Sequence, residues 1–131
     1  MPSILLIEDH QVNREMLKRW LVRRAFEVHL AKDGEEGIRL AKEIRPDLII
    51  MDMGLPELDG WSATRLLKAD ETTAAIPILG VSAYAMSGDR QRGLEAGCDD
   101  YEIKPVDFER LMGKIDQLLR GKKAESGEPT A

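Results

Sequence analysis

Four short apolar runs in this chain each stop on polar side chains, and no other feature constrains its fold as tightly. Ile4-Leu5-Leu6-Ile7 runs into Glu8-Asp9, and Leu48-Ile49-Ile50-Met51 runs into Asp52. Ile78-Leu79-Gly80-Val81 runs into Ser82, and Tyr101-Glu102-Ile103 runs into Lys104-Pro105. Runs this short read as buried strands, and the stretches between them change to a helical period. Residues 11–25 place Val12, Met16, Leu17, Trp20 and Leu21 on one helical face. Residues 27–31 alternate, as a shorter and more exposed strand would. Asp33 followed by Glu36 is a capping-box-like start for a second helix, which Ile38, Ala41 and Ile44 continue and Arg45-Pro46 ends.

The same punctuation continues along the chain. Residues 53–59, with Pro56, read as a loop, and Asp59 can cap a third helix carrying Trp61, Ala63, Leu66 and Leu67. Pro77 stands near the start of a strand, where a missing N–H is tolerated. Residues 87–96 look helical but poorly amphipathic, with Leu94 and Ala96 as anchors and Gly97 suited to the left-handed position that ends a helix. Residues 99–103 form a fifth strand. Asp107 can cap a last helix with Phe108, Leu111, Ile115 and Leu118 on its apolar face. Residues 122–131 are polar, and we expect a flexible tail there after a single domain over 1–121. Five βα units imply an α/β fold with a parallel sheet and helices on both faces. Ligands in such folds bind beyond the carboxyl ends of the strands.

Composition bounds the rest. With 131 residues the chain can bury one core. A net charge of −5 argues against a broad basic face for nucleic acid, and no apolar stretch is long enough to span a membrane. One cysteine, Cys98, excludes an internal disulfide framework, and with no secretory segment we expect a reducing, cytoplasmic location. The chain stops soon after the last helix, so no output domain is expected within it.

The strand-end residues define a chemistry. In this architecture Glu8, Asp9 and Asp52 lie within about 4–6 Å of one another, and each like pair at about 5 Å costs roughly 3 kcal/mol at an effective dielectric near 20. A divalent cation removes that cost, and oxygen-only ligands favour Mg²⁺, with Mn²⁺ as the other acceptable ion. Metal alone needs neither a lysine nor a hydroxyl, whereas a phosphoryl group uses both. Lys104 suits one of its oxygens as a flexible point charge, and Ser82 can donate to another. One carboxylate then remains to act as nucleophile. Asp52 ends the most apolar strand and precedes Met53-Gly54, while the adjacent Glu8 and Asp9 look like metal holders. Asp52 is the better nucleophile.

Glu8-Asp9, Met51-Asp52-Met53-Gly54-Leu55-Pro56, Ser82-Ala83 and Lys104-Pro105 together resemble a CheY-like response-regulator receiver domain, over about residues 3–120. The resemblance implies a flavodoxin-like doubly wound (βα)5 fold with sheet order 2-1-3-4-5. It implies Asp52 as phospho-acceptor, Asp9 as direct Mg²⁺ ligand, Glu8 as a ligand acting largely through water, and the Gly54 carbonyl as a backbone ligand. Ser82 matches the switch hydroxyl, Lys104 the phosphoryl-binding lysine, Pro105 a proline that follows a cis bond, and Tyr101 an aromatic that turns inward on activation. Two variable positions bear on phosphoryl lifetime. Gly54 offers no side chain to orient a water and Tyr84 is bulky, so slow self-dephosphorylation is expected. The implied partners are a histidine kinase or phosphotransfer protein as donor and a protein target on the surface of the fourth helix, fifth strand and fifth helix. The implied state is a monomer or weak homodimer, stand-alone or part of a hybrid kinase.

Three other readings compete. A phosphotransferase or phosphatase acting on small molecules needs a substrate-binding cap that this length does not supply. A flavodoxin-like cofactor binder needs a phosphate-cradling loop where Glu8-Asp9-His10 has the wrong charge. An adaptor that signals without phosphate would not need the intact five-residue set.

Overall fold

In the computed structural model, which describes residues 1–82 and 89–125, five strands alternate with five helices. They are β1 (Ser3–Ile7), α1 (Gln11–Arg23), β2 (Glu27–Ala31), α2 (Gly34–Ile44) and β3 (Leu48–Asp52). There follow α3 (Gly60–Ala69), β4 (Ile78–Ser82), α4 (Asp89–Ala96), β5 (Asp100–Ile103) and α5 (Phe108–Glu125). All strand pairs are parallel, in the order β2-β1-β3-β4-β5.

Because strand side chains alternate between faces, two cores form. Ile4, Leu6, Leu48, Ile50, Leu79 and Val81 pack with Leu17 and Leu21 of α1 and Leu111 and Ile115 of α5. Leu5, Ile7, Ile49, Met51, Ile78 and Tyr101 pack with Ala41 of α2, Ala63 and Leu67 of α3 and Ala96 of α4. β1, β3 and β4 are central, and from Ile4 to Ile7 and Leu48 to Asp52 every residue is buried. Edge strand β2 is more open, as its alternation predicts.

The caps follow the sequence signals. Asp33 accepts from the Glu36 amide at 2.8 Å, and Asp59 accepts from the Ser62 amide at 2.8 Å. The first box is shifted by one residue: the Glu36 carboxylate takes the Lys32 amide at 3.0 Å. Asp107 accepts from the Arg110 amide at 3.1 Å at the start of α5. Gly97 has φ +118° and ends α4.

Several expectations need correction. α1 stops at Arg23 and not at residue 25, because Ala25 takes φ 68° in the turn to β2. Its apolar face is wider than the core it meets: Val12 and Met16 are 67% and 46% exposed, and only Leu17 and Leu21 are buried. Leu66 likewise lies outside, because α3 already fills its contact with Ala63 and Leu67. On α4, Gly93 and Ala96 are the buried anchors, while Leu94 is half-buried. α5 runs on to Glu125, four residues into the stretch expected to be tail. Lys122, Lys123, Ala124 and Glu125 are good helix formers, and the first breaker is Gly127.

Candidate functional site

The parallel register brings the carboxyl ends of β1, β3, β4 and β5 together. Glu8 directly follows β1 and extends its ladder, donating its amide to the Ala31 carbonyl at 3.0 Å. Asp52 is the last residue of β3. Glu8 and Asp52 are buried while Asp9 is exposed, and one carboxylate oxygen from each lies within 4.8 Å of the others. Lys104 enters the same space after β5. Its Nζ stands 3.0 Å from Glu8 Oε1 and 3.6 Å from Asp52 Oδ2. Ser82, wholly buried at the end of β4, accepts the Lys104 amide on its backbone carbonyl at 2.7 Å. The Gly54 amide donates to Asp52 Oδ1 at 3.0 Å. The Lys104-Pro105 bond is cis.

Three carboxylates around one ammonium leave the cluster short of positive charge. Desolvation pushes the Asp52 carboxyl from its ordinary 3.8 up to about 6, and the hydrogen bond and charge of Glu8 add to the effect. The Gly54 amide and the Lys104 ammonium pull the other way. Burial alone would lower the Lys104 ammonium, but Glu8 and Asp52 outweigh it and hold the group above its ordinary value. A hard divalent ion fits this donor set: all its side-chain ligands are carboxylate oxygens, and the open side lies at exposed Asp9. Glu8, Asp9 and Asp52 are the residues that could hold it.

The loop after Asp52 is fixed by close backbone packing at the start of α3. A Cβ on Gly60 would stand 2.5 Å from the Asp52 carbonyl oxygen and 2.5 Å from the Met53 Cα, so only glycine lets the helix start there. The Gly60 amide donates to the Met53 carbonyl at 3.2 Å. No sequence reading singled out Gly60, although its place directly after the Asp59 cap could have marked it.

The remaining residues divide. His10 stands exposed at the start of α1, with no side-chain cap bond, as a solvated histidine would. Tyr84 lies outside the described residues. In this structure the Tyr101 ring lies inside, with only 2% of the residue exposed. A Cβ on Gly80 would meet the ring at 3.0 Å and one on Gly93 at 2.8 Å, so two glycines make the slot that receives it. Gly80 in the middle of an apolar strand was the available signal.

Two further charged residues escaped the sequence reading. Glu102, buried on the opposite face of β5 from Tyr101, accepts from Arg110 Nε at 3.0 and 2.9 Å and stands 3.6 Å from Lys114. This pins α5 to β5, and the alternation Tyr101-Glu102-Ile103 could have placed it. Arg14 donates from Nη1 to the Glu8 and Asp9 carbonyls at 3.0 and 3.3 Å.

Comparison with known proteins places this geometry among relatives. Residues 4–116 match the sequence profile of the response regulator receiver domain. The chain is 36% identical over 117 residues to the polar-differentiation response regulator DivK of Brucella anthropi, covering 89% of this chain and 95% of that one. It is 38% identical over 120 residues to the DNA-binding dual master transcriptional regulator RpaA of Synechocystis, covering 92% of this chain but 50% of that protein. Among solved structures, the receiver domain of a sensor histidine kinase from Pseudomonas aeruginosa superposes with TM-score 0.84 at 38% identity, covering 90% of this chain and 97% of that one. That protein carries a magnesium ion coordinated in its active-site cleft. The receiver domain of a signal transduction histidine kinase from Syntrophus aciditrophicus superposes with TM-score 0.87 at 31% identity, covering 100% and 97%.

Proposed function

Because this chain is a response-regulator receiver domain, we propose that it accepts a phosphoryl group on Asp52 from a phosphohistidine donor, a histidine kinase or a phosphotransfer protein. Receivers are signalling domains, and the reaction is a transfer that the domain assists on itself. One observation carries the assignment to Asp52: it is the buried carboxylate with Lys104, Glu8, Asp9 and the Gly54 amide all gathered around it.

In the proposed step an Asp52 carboxylate oxygen attacks phosphorus. The O–P bond forms, the N–P bond of the donor breaks, and the leaving imidazole nitrogen keeps the electron pair and takes a proton from solvent. Glu8, Asp9 and Asp52, with the Gly54 carbonyl, would hold Mg²⁺, and Mn²⁺ would meet the same requirements. When bound, the ion would supply positive charge toward the phosphoryl oxygens. Lys104 exchanges its carboxylate contacts for a phosphoryl oxygen, and Ser82 donates to another. No general base is required, so positioning and charge neutralisation do the work.

Output follows from charge. The phosphoryl group adds about −1.5 to −2 at neutral pH. Drawing Ser82 and Lys104 toward it pulls on the ends of β4 and β5, and Pro105 carries the second pull into the turn before α5. Since Tyr101 is already seated, the signal reaches partners as a change in how α4 rests on its ring, across the α4–β5–α5 surface. Gly54 presents no side chain to orient water, which supports slow loss of the phosphoryl group. The test is intact-mass measurement after incubation with acetyl phosphate and Mg²⁺. Wild type should gain one phosphoryl group and Asp52→Asn none, and equal labelling of both would overturn the assignment.

A further inference from the structure

Asp9 presents a problem of placement. Among the described residues its carboxylate takes no hydrogen bond or ion pair, and it is the exposed member of the acidic triad. Glu8 is fixed differently, by burial, by Lys104, and by the His10 amide on its second oxygen at 3.3 Å. The direction of the Asp9 side chain is therefore set by its backbone. That backbone lies between the last strand residue, Ile7, and the first turn of α1, and among the described residues the Glu8 and Asp9 carbonyls accept no backbone amide.

Arg14 supplies the partner. From the first turn of α1 its Nη1 donates to the Glu8 carbonyl at 3.0 Å and to the Asp9 carbonyl at 3.3 Å. Consecutive carbonyls in an extended chain point opposite ways, so their convergence on one nitrogen fixes the curl of the loop at Asp9. The helix anchors the clamp, because the Arg14 amide donates to the His10 carbonyl at 2.9 Å. Among the described residues no carboxylate lies within ion-pair distance of Arg14, so its charge is not spent on a surface bridge. Arg14 instead lines, with Asp9, Lys32 and Glu57, an open hollow of about 330 Å³ that the triad reaches at Asp9.

We propose that Arg14 is a positioning residue for the divalent ion: it holds the Glu8–Asp9 backbone so that the Asp9 carboxylate is preorganised toward Glu8 and Asp52. It touches neither metal nor phosphoryl group. This rests on the reading of Glu8, Asp9 and Asp52 as the metal holders. Partners that orient a ligand in this way typically change metal affinity by about 10–100-fold when removed.

The experiment compares wild type, Arg14→Met, Arg14→Lys and Arg19→Met by calorimetric titration with Mg²⁺. Amide exchange of the metal-free proteins at Glu8, Asp9 and His10 is measured beside it. Arg19→Met removes the same charge from an exposed site on the same helix. The expected result is an Mg²⁺ dissociation constant raised about tenfold or more in Arg14→Met. Arg14→Lys should recover part of that loss, and Arg19→Met should stay within about twofold of wild type, a margin well below the effect of losing an orienting partner. Exchange at His10, whose amide donates to the Glu8 carboxylate, should quicken only in the Arg14 variants. Phosphorylation by acetyl phosphate should need more Mg²⁺ in Arg14→Met yet reach the wild-type rate at saturation, a split that a merely unstable protein would not give. Unchanged Mg²⁺ affinity in Arg14→Met beside a wild type that binds would overturn the clamp alone. A wild type that binds no Mg²⁺ would overturn the metal reading and the clamp with it.

Discussion

Two lysines sit at opposite ends of the same sheet, and they do opposite things. Lys68, beneath the amino end of β4, gives its three donors to the Ala74 carbonyl at 3.2 Å, the Ile76 carbonyl at 2.8 Å and Asp99 at 2.9 Å. Asp99 also takes the Ile78 amide at 2.8 Å. One cation meets one anion there, and the acceptors match the donors. Lys104, at the carboxyl end, faces Glu8 and Asp52 with Asp9 close by. One cation there meets three anions. A closed cluster stabilises the fold, whereas an unbalanced one leaves charge for a ligand to neutralise.

The sharpest way to test the contrast is to delete each lysine. Lys104→Met should slow phosphorylation by acetyl phosphate on the order of 100-fold, as loss of a preorganised charge donor does in other sites. Lys68→Met should leave that rate near wild type and instead cost about 2–3 kcal/mol in urea unfolding, since it strands two carbonyls and a carboxylate. If the two phenotypes were exchanged, the comparison would fail.

A finer test uses Asp52 in the metal-free protein. Its folded carboxyl sits at about 6, above the ordinary 3.8. The folded state therefore binds this proton more tightly than the unfolded chain. The stability it contributes is present below about pH 4 and is lost as pH rises through about 6. Asp52→Asn should then raise metal-free stability at pH 7 by at most about 3 kcal/mol, and the gain should vanish near pH 4. Mg²⁺ should stabilise wild type and do much less for the variant. A variant less stable than wild type at neutral pH would mean that the cluster is already balanced.

The smallest effect belongs to Cys98, beside the closed cluster. Burial pushes its thiol from 9.0 up to about 11, with Thr64 Oγ1 3.9 Å from the sulfur. At pH 8 a thiol reagent should label it only at the rate of global opening, and urea should release it. Fast labelling of the native protein would show that the α3–α4 side is looser than this packing implies.

The Lys104 cluster was largely legible beforehand and the Lys68 cluster was not, and the parts that were not share a cause. The five strand-end residues could be read because each ends a run, and runs are local. The caps at Asp33, Asp59 and Asp107 were readable for the same reason. Arg14 was not, since its partners are backbone carbonyls whose curl no side-chain pattern encodes. Lys68 and Asp99 were not, since 31 positions separate them and each looks like a surface charge. The apolar stripe of α1 overstated the core, because periodicity reports which residues share a face and not how much of that face another element covers.

The sequence by itself determined the alternation of strands and helices, the parallel sheet and the five polar residues at its carboxyl edge. Each of these follows from side-chain period and chain reversal, which act over a few residues. Tertiary structure alone decided that Glu8 is buried and Asp9 exposed, that Lys104 pairs with two carboxylates, and that Tyr101 rests inward between Gly80 and Gly93. Those outcomes depend on distances between segments far apart in the chain. Burial, and with it the strength of every charge in the site, is fixed only when the segments meet.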